Sequence, residues 1–133
     1  MSVINDVLLS VIDLAEDNLT LYSPIKIGAL PADNSLSIQI TTGAADGTFM
    51  TKGMAYEITC VLNGKHESQK TVSDTLNDIH QYLTQLKAYP RTENTYQITN
   101  IETVSTPSYI DREANKQYLY GSSIRIKFFY MKG

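Results

Sequence analysis

From Ile4 to Ala15 the apolar residues Ile4, Leu8, Val11, Ile12 and Ala15 fall on one side of the chain. This is the i, i+4, i+7, i+8 rhythm of an amphipathic helix. Ser2 is placed to cap its start and Glu16-Asp17-Asn18 to end it. The stretch LTLYSPIKIG (19–28) is short and interrupted by Pro24, which suits an edge strand or an extended connection. SLSIQITT then alternates, with Leu36, Ile38 and Ile40 on one face and Ser37, Gln39 and Thr41 on the other, so it predicts a half-buried strand.

GAADGTFMTKG (43–53) is too long for a two-residue turn and predicts a projecting hairpin loop, with the apolar Phe49 and Met50 embedded in it. Two explanations fit those residues: folding back on the sheet edge, or contact with a partner. MAYEITCVLNGK (54–65) is the next strand, with Met54, Tyr56, Ile58, Cys60 and Leu62 on one face and Ala55, Glu57, Thr59 and Val61 on the other. Asn63-Gly64 supplies turn chemistry at its end.

A helix follows from about residue 67 to 87, stopped before Pro90. NTYQITNIETVS (94–105) carries strand formers whose apolar phase slips between Ile98 and Ile101, a slip that a bulge restores. TPSYIDREANKQ (106–117) predicts a second long polar loop, again with an apolar pair, Tyr109 and Ile110. The final strand alternates Ile124, Ile126, Phe128 and Tyr130 with Arg125, Lys127 and Phe129. The order predicts one α+β domain over residues 1–133: a mainly antiparallel sheet of four to five strands, two amphipathic helices covering its apolar face, and two long loops.

Both histidines and three acidic side chains lie within KHESQKTVSDTLNDIHQYL (65–83), the stretch richest in groups able to do chemistry. Helical phase decides against a joint site. With Asp74 at zero, Val72, Leu76, Ile79, Leu83 and Leu86 cluster at roughly 120–200°, Asp78 joins Asp74, and His80 falls on the flank near 240° at about 100° per residue. A zinc helix needs ligands one turn apart on one face, and His66 and His80 do not have that spacing. His66, Glu67, Asp74, Asp78 and His80 are therefore expected at the surface. Neither a dinucleotide fingerprint, a phosphate loop nor a Gly-x-Ser-x-Gly elbow occurs. The reading is a non-enzyme with no catalytic, cofactor-binding or metal residues.

Composition narrows the class further. The 133 residues are 42% hydrophobic and 19% charged, as in a soluble domain that buries roughly two-thirds of its unfolded surface. A net charge of −3 and a pI near 5.2 give no general attraction to nucleic acid or to anionic lipid. Nine tyrosines could form a stacking platform, but they are dispersed rather than interleaved with basic residues. The single Cys60 sits in an alternating apolar run, where it acts as a small hydrophobe, and lone-cysteine usage fits a reducing compartment. Asp6 and Asp13 interrupt the N-terminal apolar residues and no basic segment precedes them, which argues against a signal peptide. No run is long enough to span a bilayer. A cytosolic origin and no membrane partner are expected.

Resemblance adds a family. The order of an N-terminal helix, YSPIKIGALP, SLSIQITTG, an ADGT turn, YEITCVLNGKHESQKTVSDTLNDIHQYL and the closing YLYGSSIRIKFFY resembles tailed-phage minor capsid proteins that act as tail terminators, also called tail completion or head–tail joining proteins. The resemblance spans nearly the whole layout and rests on patterns of residue type. It implies a virion protein made in the host bacterial cytoplasm, assembling as a homo-oligomeric ring, commonly a hexamer. Such a ring caps the tail tube, meets the head connector protein and needs no cofactor. A ring closed by head-to-tail contacts requires two different patches per subunit. Phe49, Met50, Tyr109 and Ile110 are the expected contact residues. The alternatives are another virion assembly protein (tail tube or head completion), a non-catalytic binding module, or a small hydrolase using His66 or His80.

Overall fold

Along the middle of the chain the even-numbered strand residues point inward. Ile58, Cys60 and Leu62 on one strand and Ile124, Ile126 and Phe128 on another are all buried, while the odd-numbered residues between them are half-buried. The computed structural model describes residues 3–30, 33–50, 53–86, 89, 91–92 and 96–131; the side chains at 3–4, 42–50, 53–54, 91–92 and 130–131 lie outside that description. Among the described residues there are two helices, α1 (Val3–Asn18) and α2 (Gln69–Thr84), and six strands: β1 (Ile25–Ile27), β2 (Ser35–Met50), β3 (Gly53–His66), β4 (Arg91–Thr92), β5 (Tyr96–Arg112) and β6 (Tyr118–Met131).

The strands form one sheet in the order β1-β2-β3-β6-β5-β4. Every pair is antiparallel except β1–β2. The α+β class is as expected, with four long strands flanked by a short strand on each edge. β1 is the edge strand that Pro24 suggests, and it covers β2 only at Leu36–Ile38. On the other side β4 covers β5 only at Tyr96–Gln97.

Helix placement follows from the apolar stripes. Leu8, Val11, Ile12 and Ala15 of α1 and Val72, Leu76, Ile79 and Leu83 of α2 are buried against the even face of the sheet. Each Val, Leu or Ile among them stabilises the fold by about 1.5–3 kcal/mol relative to exposure. Ser68 caps α2 with extended backbone, its Oγ accepting from Thr71 N at 3.3 Å. Caps of this kind are worth about 1 kcal/mol. The proposed cap Ser2, the stop at Pro90 and the side chains of Ile4, Met54 and Tyr130 lie outside the described residues.

Both segments expected as irregular loops pair as strand. β2 runs to Met50 and β3 starts at Gly53, so most of 43–53 is hairpin arm. β5 runs through Arg112, which leaves 113–117 as the connection to β6. That turn is tied down: Glu113 N donates to Gln117 O at 2.8 Å, Asn34 N to the buried Gln117 Oε1 at 2.8 Å, and Asn115 Nδ2 to Asp33 Oδ1 at 2.6 Å. The expected bulge is present, as a register shift between Ile98 and Asn100, and three more follow along β5 at Thr103/Ser105, Ser105/Ser108 and Tyr109/Asp111.

Candidate assembly surface

Strand register fixes where the four expected contact residues lie. Phe49 pairs with Met54, which pairs with Tyr130 of β6. Tyr109 pairs with Tyr120 of β6. The stretch of β6 between Tyr120 and Tyr130 spans about 33 Å at strand rise, so the Phe49–Met50 hairpin end and the Tyr109–Ile110 pair occupy opposite ends of the sheet. The side chains of Phe49 and Met50 lie outside the described residues.

Tyr109 and Ile110 belong to a strand rather than to a loop tip, and they are 51% and 55% exposed. The inner half of each is packed. The Tyr109 ring meets Tyr120 edge-on at 6.0 Å between centroids and lies 6.5 Å from Tyr118. The Arg112 guanidinium carbon stands 5.3 Å from the Tyr118 ring centroid, within cation–π reach. Gln69 Nε2 at the start of α2 donates to Tyr120 Oη at 2.7 Å, which locks the aromatic group to the helix. Val104 on the same strand is also 45% exposed.

The odd face of the sheet carries charged and hydroxyl side chains on β5 and β6. Arg125 Nη1 donates to Glu102 Oε1 at 2.9 Å, Lys127 Nζ lies 3.8 Å from the same oxygen, and Ser105 and Ser123 share a 2.6 Å hydrogen bond. Both signs of charge alternate there, which suits a wetted face.

The chemistry-rich segment of α2 divides. Asp74 and Asp78 are exposed, as phase requires, and Lys70 pairs with Asp74. His66 is half-buried, its Nδ1 accepting from Ser68 N at 2.9 Å and its ring 4.7 Å from Tyr22. His80 corrects the sequence reading, being buried at 5% exposure rather than at the surface. Its Nε2 lies 2.7 Å from Ser122 Oγ and its Nδ1 2.9 Å from Thr103 Oγ1. Ser122 Oγ donates to the Leu62 carbonyl at 3.0 Å. With that proton committed, the ring's Nε2–H donates to Ser122 and Nδ1 accepts from Thr103. Burial lowers the His80 pKa from its ordinary value, favouring this neutral form. Ser122 hands its proton to a carbonyl and not to the imidazole, so the pair is arranged as a polar pin between α2, β5, β6 and β3. A hydroxyl in the inward phase between Tyr120 and Ile124 was the one sequence hint that a buried partner was needed.

Among the described residues no group of three or more His, Cys, Asp or Glu is placed to hold a metal, and no helix is long and apolar enough to cross a membrane. A shallow groove between α1 and β1 is lined by Glu16, Leu19, Leu21, Tyr22 and Pro24, and its carboxylate is already committed to Ile25 N at 2.8 Å. Cys60 is fully buried, as its alternating run implied.

No protein-family model matches this chain, and no curated protein matches it. Among solved structures it is similar to a chain of the "Virion of native gene transfer agent (GTA) particle", with a TM-score of 0.52, 9% identity, and coverage of 90% of this chain and 85% of that one. At that identity the likeness is one of fold, and it extends over nearly the whole of both chains.

Proposed function

We propose that this chain is a structural protein of a phage-like virion, acting as a tail terminator: a ring of identical subunits that caps the tail tube and joins it to the head connector. The observation that carries the reading is a fold shared over 90% of the chain with a component of a gene transfer agent virion. The finer role is supported by the positions of Phe49–Met50 and Tyr109–Ile110 along the strands, at opposite ends of one sheet, because a head-to-tail ring needs two unlike patches on each copy. The role is one of contact and not of catalysis. Phe49, Met50, Tyr109 and Ile110 are its contact residues, with a hexamer the expected ring.

The test is light scattering behind size exclusion across a range of concentrations, with negative-stain microscopy of the largest species. Closed rings of one size support a terminator, whereas open filaments point to a tail-tube protein. A monomer that also fails to bind purified tail ends removes the reading. Replacing Phe49, Met50, Tyr109 and Ile110 together with serine abolishes assembly and leaves the far-UV circular dichroism intact.

A further inference from the structure

Thr103 stands where β5 changes character. Before it, Ile98 and Ile101 are buried beneath the helices; after it, residues 104–112 are almost all exposed and their pairing with β6 shifts register three times. His80 makes its hydrogen bond to β5 at this same residue. We propose that the His80–Thr103 contact is an acid-released latch: neutral His80 holds the outer arm of β5 (104–112) onto β6, and protonated His80 lets that arm part from the sheet while α2, β3 and β6 stay together.

The direction of release follows from the two partners. Ser122 is buried at 4% and anchored on the Leu62 carbonyl, whereas Thr103 is exposed. A charged ring gains water by separating from β5, not by moving deeper toward β6. Among the described residues no carboxylate faces it from inside. Among the described residues the titratable groups on the covered face are Tyr56, Cys60 and His66 of β3, Tyr118 and Tyr120 of β6, Tyr96 of β5, Tyr82 of α2, and Tyr22 and Tyr89 of the connections, none of them a carboxylate, and the inward positions of α1 are apolar. Glu57, Glu102, Arg125 and Lys127 project from the opposite face, and Asp74 and Asp78 from the outer side of α2. Beyond Gln97 the outer edge of β5 pairs with nothing among the described residues, so the arm is held from one side only, by β6, by Tyr109 on Tyr120 and Arg112 on Tyr118, and by the turn at 113–117. That the arm bears the assembly contacts Tyr109 and Ile110 rests on the function proposed above; the latch itself does not.

Amide hydrogen exchange on the full chain tests it, read as protection factors at pH 7.5 and pH 5.5. A single proton taken up on opening reduces protection of 104–112 by up to about tenfold across the unit below the ordinary histidine value. His80→Gln removes that fall and His66→Gln retains it. Thr103→Val lowers the arm's protection already at pH 7.5 and leaves the amides of 58–62 and 124–128 unchanged. An equal fall in wild type and His80→Gln, or an arm untouched by Thr103→Val, overturns the latch. If His80→Gln does not fold, nitrogen-15 NMR of the wild type replaces it. The expected result is an Nε2–H ring whose titration midpoint is shared by the amides of 105–112, and arm amides that stay still through that titration overturn the proposal. None of these readouts depends on ring formation, so the latch and the terminator role fail separately.

Discussion

Ile110 occupies the space above Gly121: its Cδ1 lies 2.6 Å from where a β-carbon on Gly121 would stand, with Asn63 Oδ1 2.9 Å away. A residue expected as a free contact is thus half engaged with its own sheet. The other crowded glycine, Gly64, faces Val72, Leu36 and the Tyr22 hydroxyl at 2.9–3.1 Å, all held in place by the core. Gly64→Ala should cost about 1–3 kcal/mol of stability by overpacking. Gly121→Ala should cost less, since the exposed end of Ile110 can swing away. Urea midpoints of the two variants check the order.

Ser122→Ala removes the acceptor of the His80 Nε2–H and the donor to the Leu62 carbonyl together. Leaving buried polar groups unpaired costs about 1–3 kcal/mol. The variant should unfold at lower urea than wild type, and a midpoint unchanged from wild type would contradict the hydrogen-bond directions assigned here.

Burial pushes the Cys60 thiol up to about 12 from 9.0. The native thiol should resist iodoacetamide at pH 8 and react once urea unfolds the chain. The sign for stability follows from the unfolded state, which releases this proton first. Stability from this group is therefore complete below pH 9 and declines as pH climbs from there toward 12. Denaturation of wild type and Cys60→Ala across that range isolates the effect.

The Arg125–Glu102 pair is more than one-third exposed on both sides. Pairs of this kind contribute about 0.2–1 kcal/mol and are screened by salt. Glu102→Gln should lower stability by no more than that at low ionic strength and by less at 1 M sodium chloride, as urea titrations at the two salt concentrations will read.

Local rhythm made much of the fold legible. The α1 stripe at Leu8, Val11, Ile12 and Ala15, the α2 stripe from Val72 to Leu83 and the alternation at Ile58–Leu62 and Ile124–Phe128 each follow from one face meeting one core, whereas Leu86, expected in the α2 stripe, lies beyond the helix end at Thr84 and is only half-buried. Two kinds of feature were beyond it. Gly, Asp, Ser and Pro in 43–50 and 106–112 carry turn propensity, yet pairing with the other arm of each hairpin overrides it and draws both segments out as strand. His80 sits on the flank of the helical wheel, where burial depends on whether a distant strand supplies hydroxyls, and Thr103 and Ser122 do so from two different strands. Among the site residues, phase alone could place Asp74 and Asp78, while the half-packed state of Tyr109 and Ile110 needed the register with Tyr120 and Gly121.

The uneven spacing of β5 has a consequence for the chain in bulk. A straight strand with a bare edge offers evenly spaced donors and acceptors on which identical molecules can stack without end. Here four interruptions and Pro107, which has no amide hydrogen to give, leave no long regular run. A concentrated stock of the free protein should accordingly not grow amyloid-like stacks along this edge of β5.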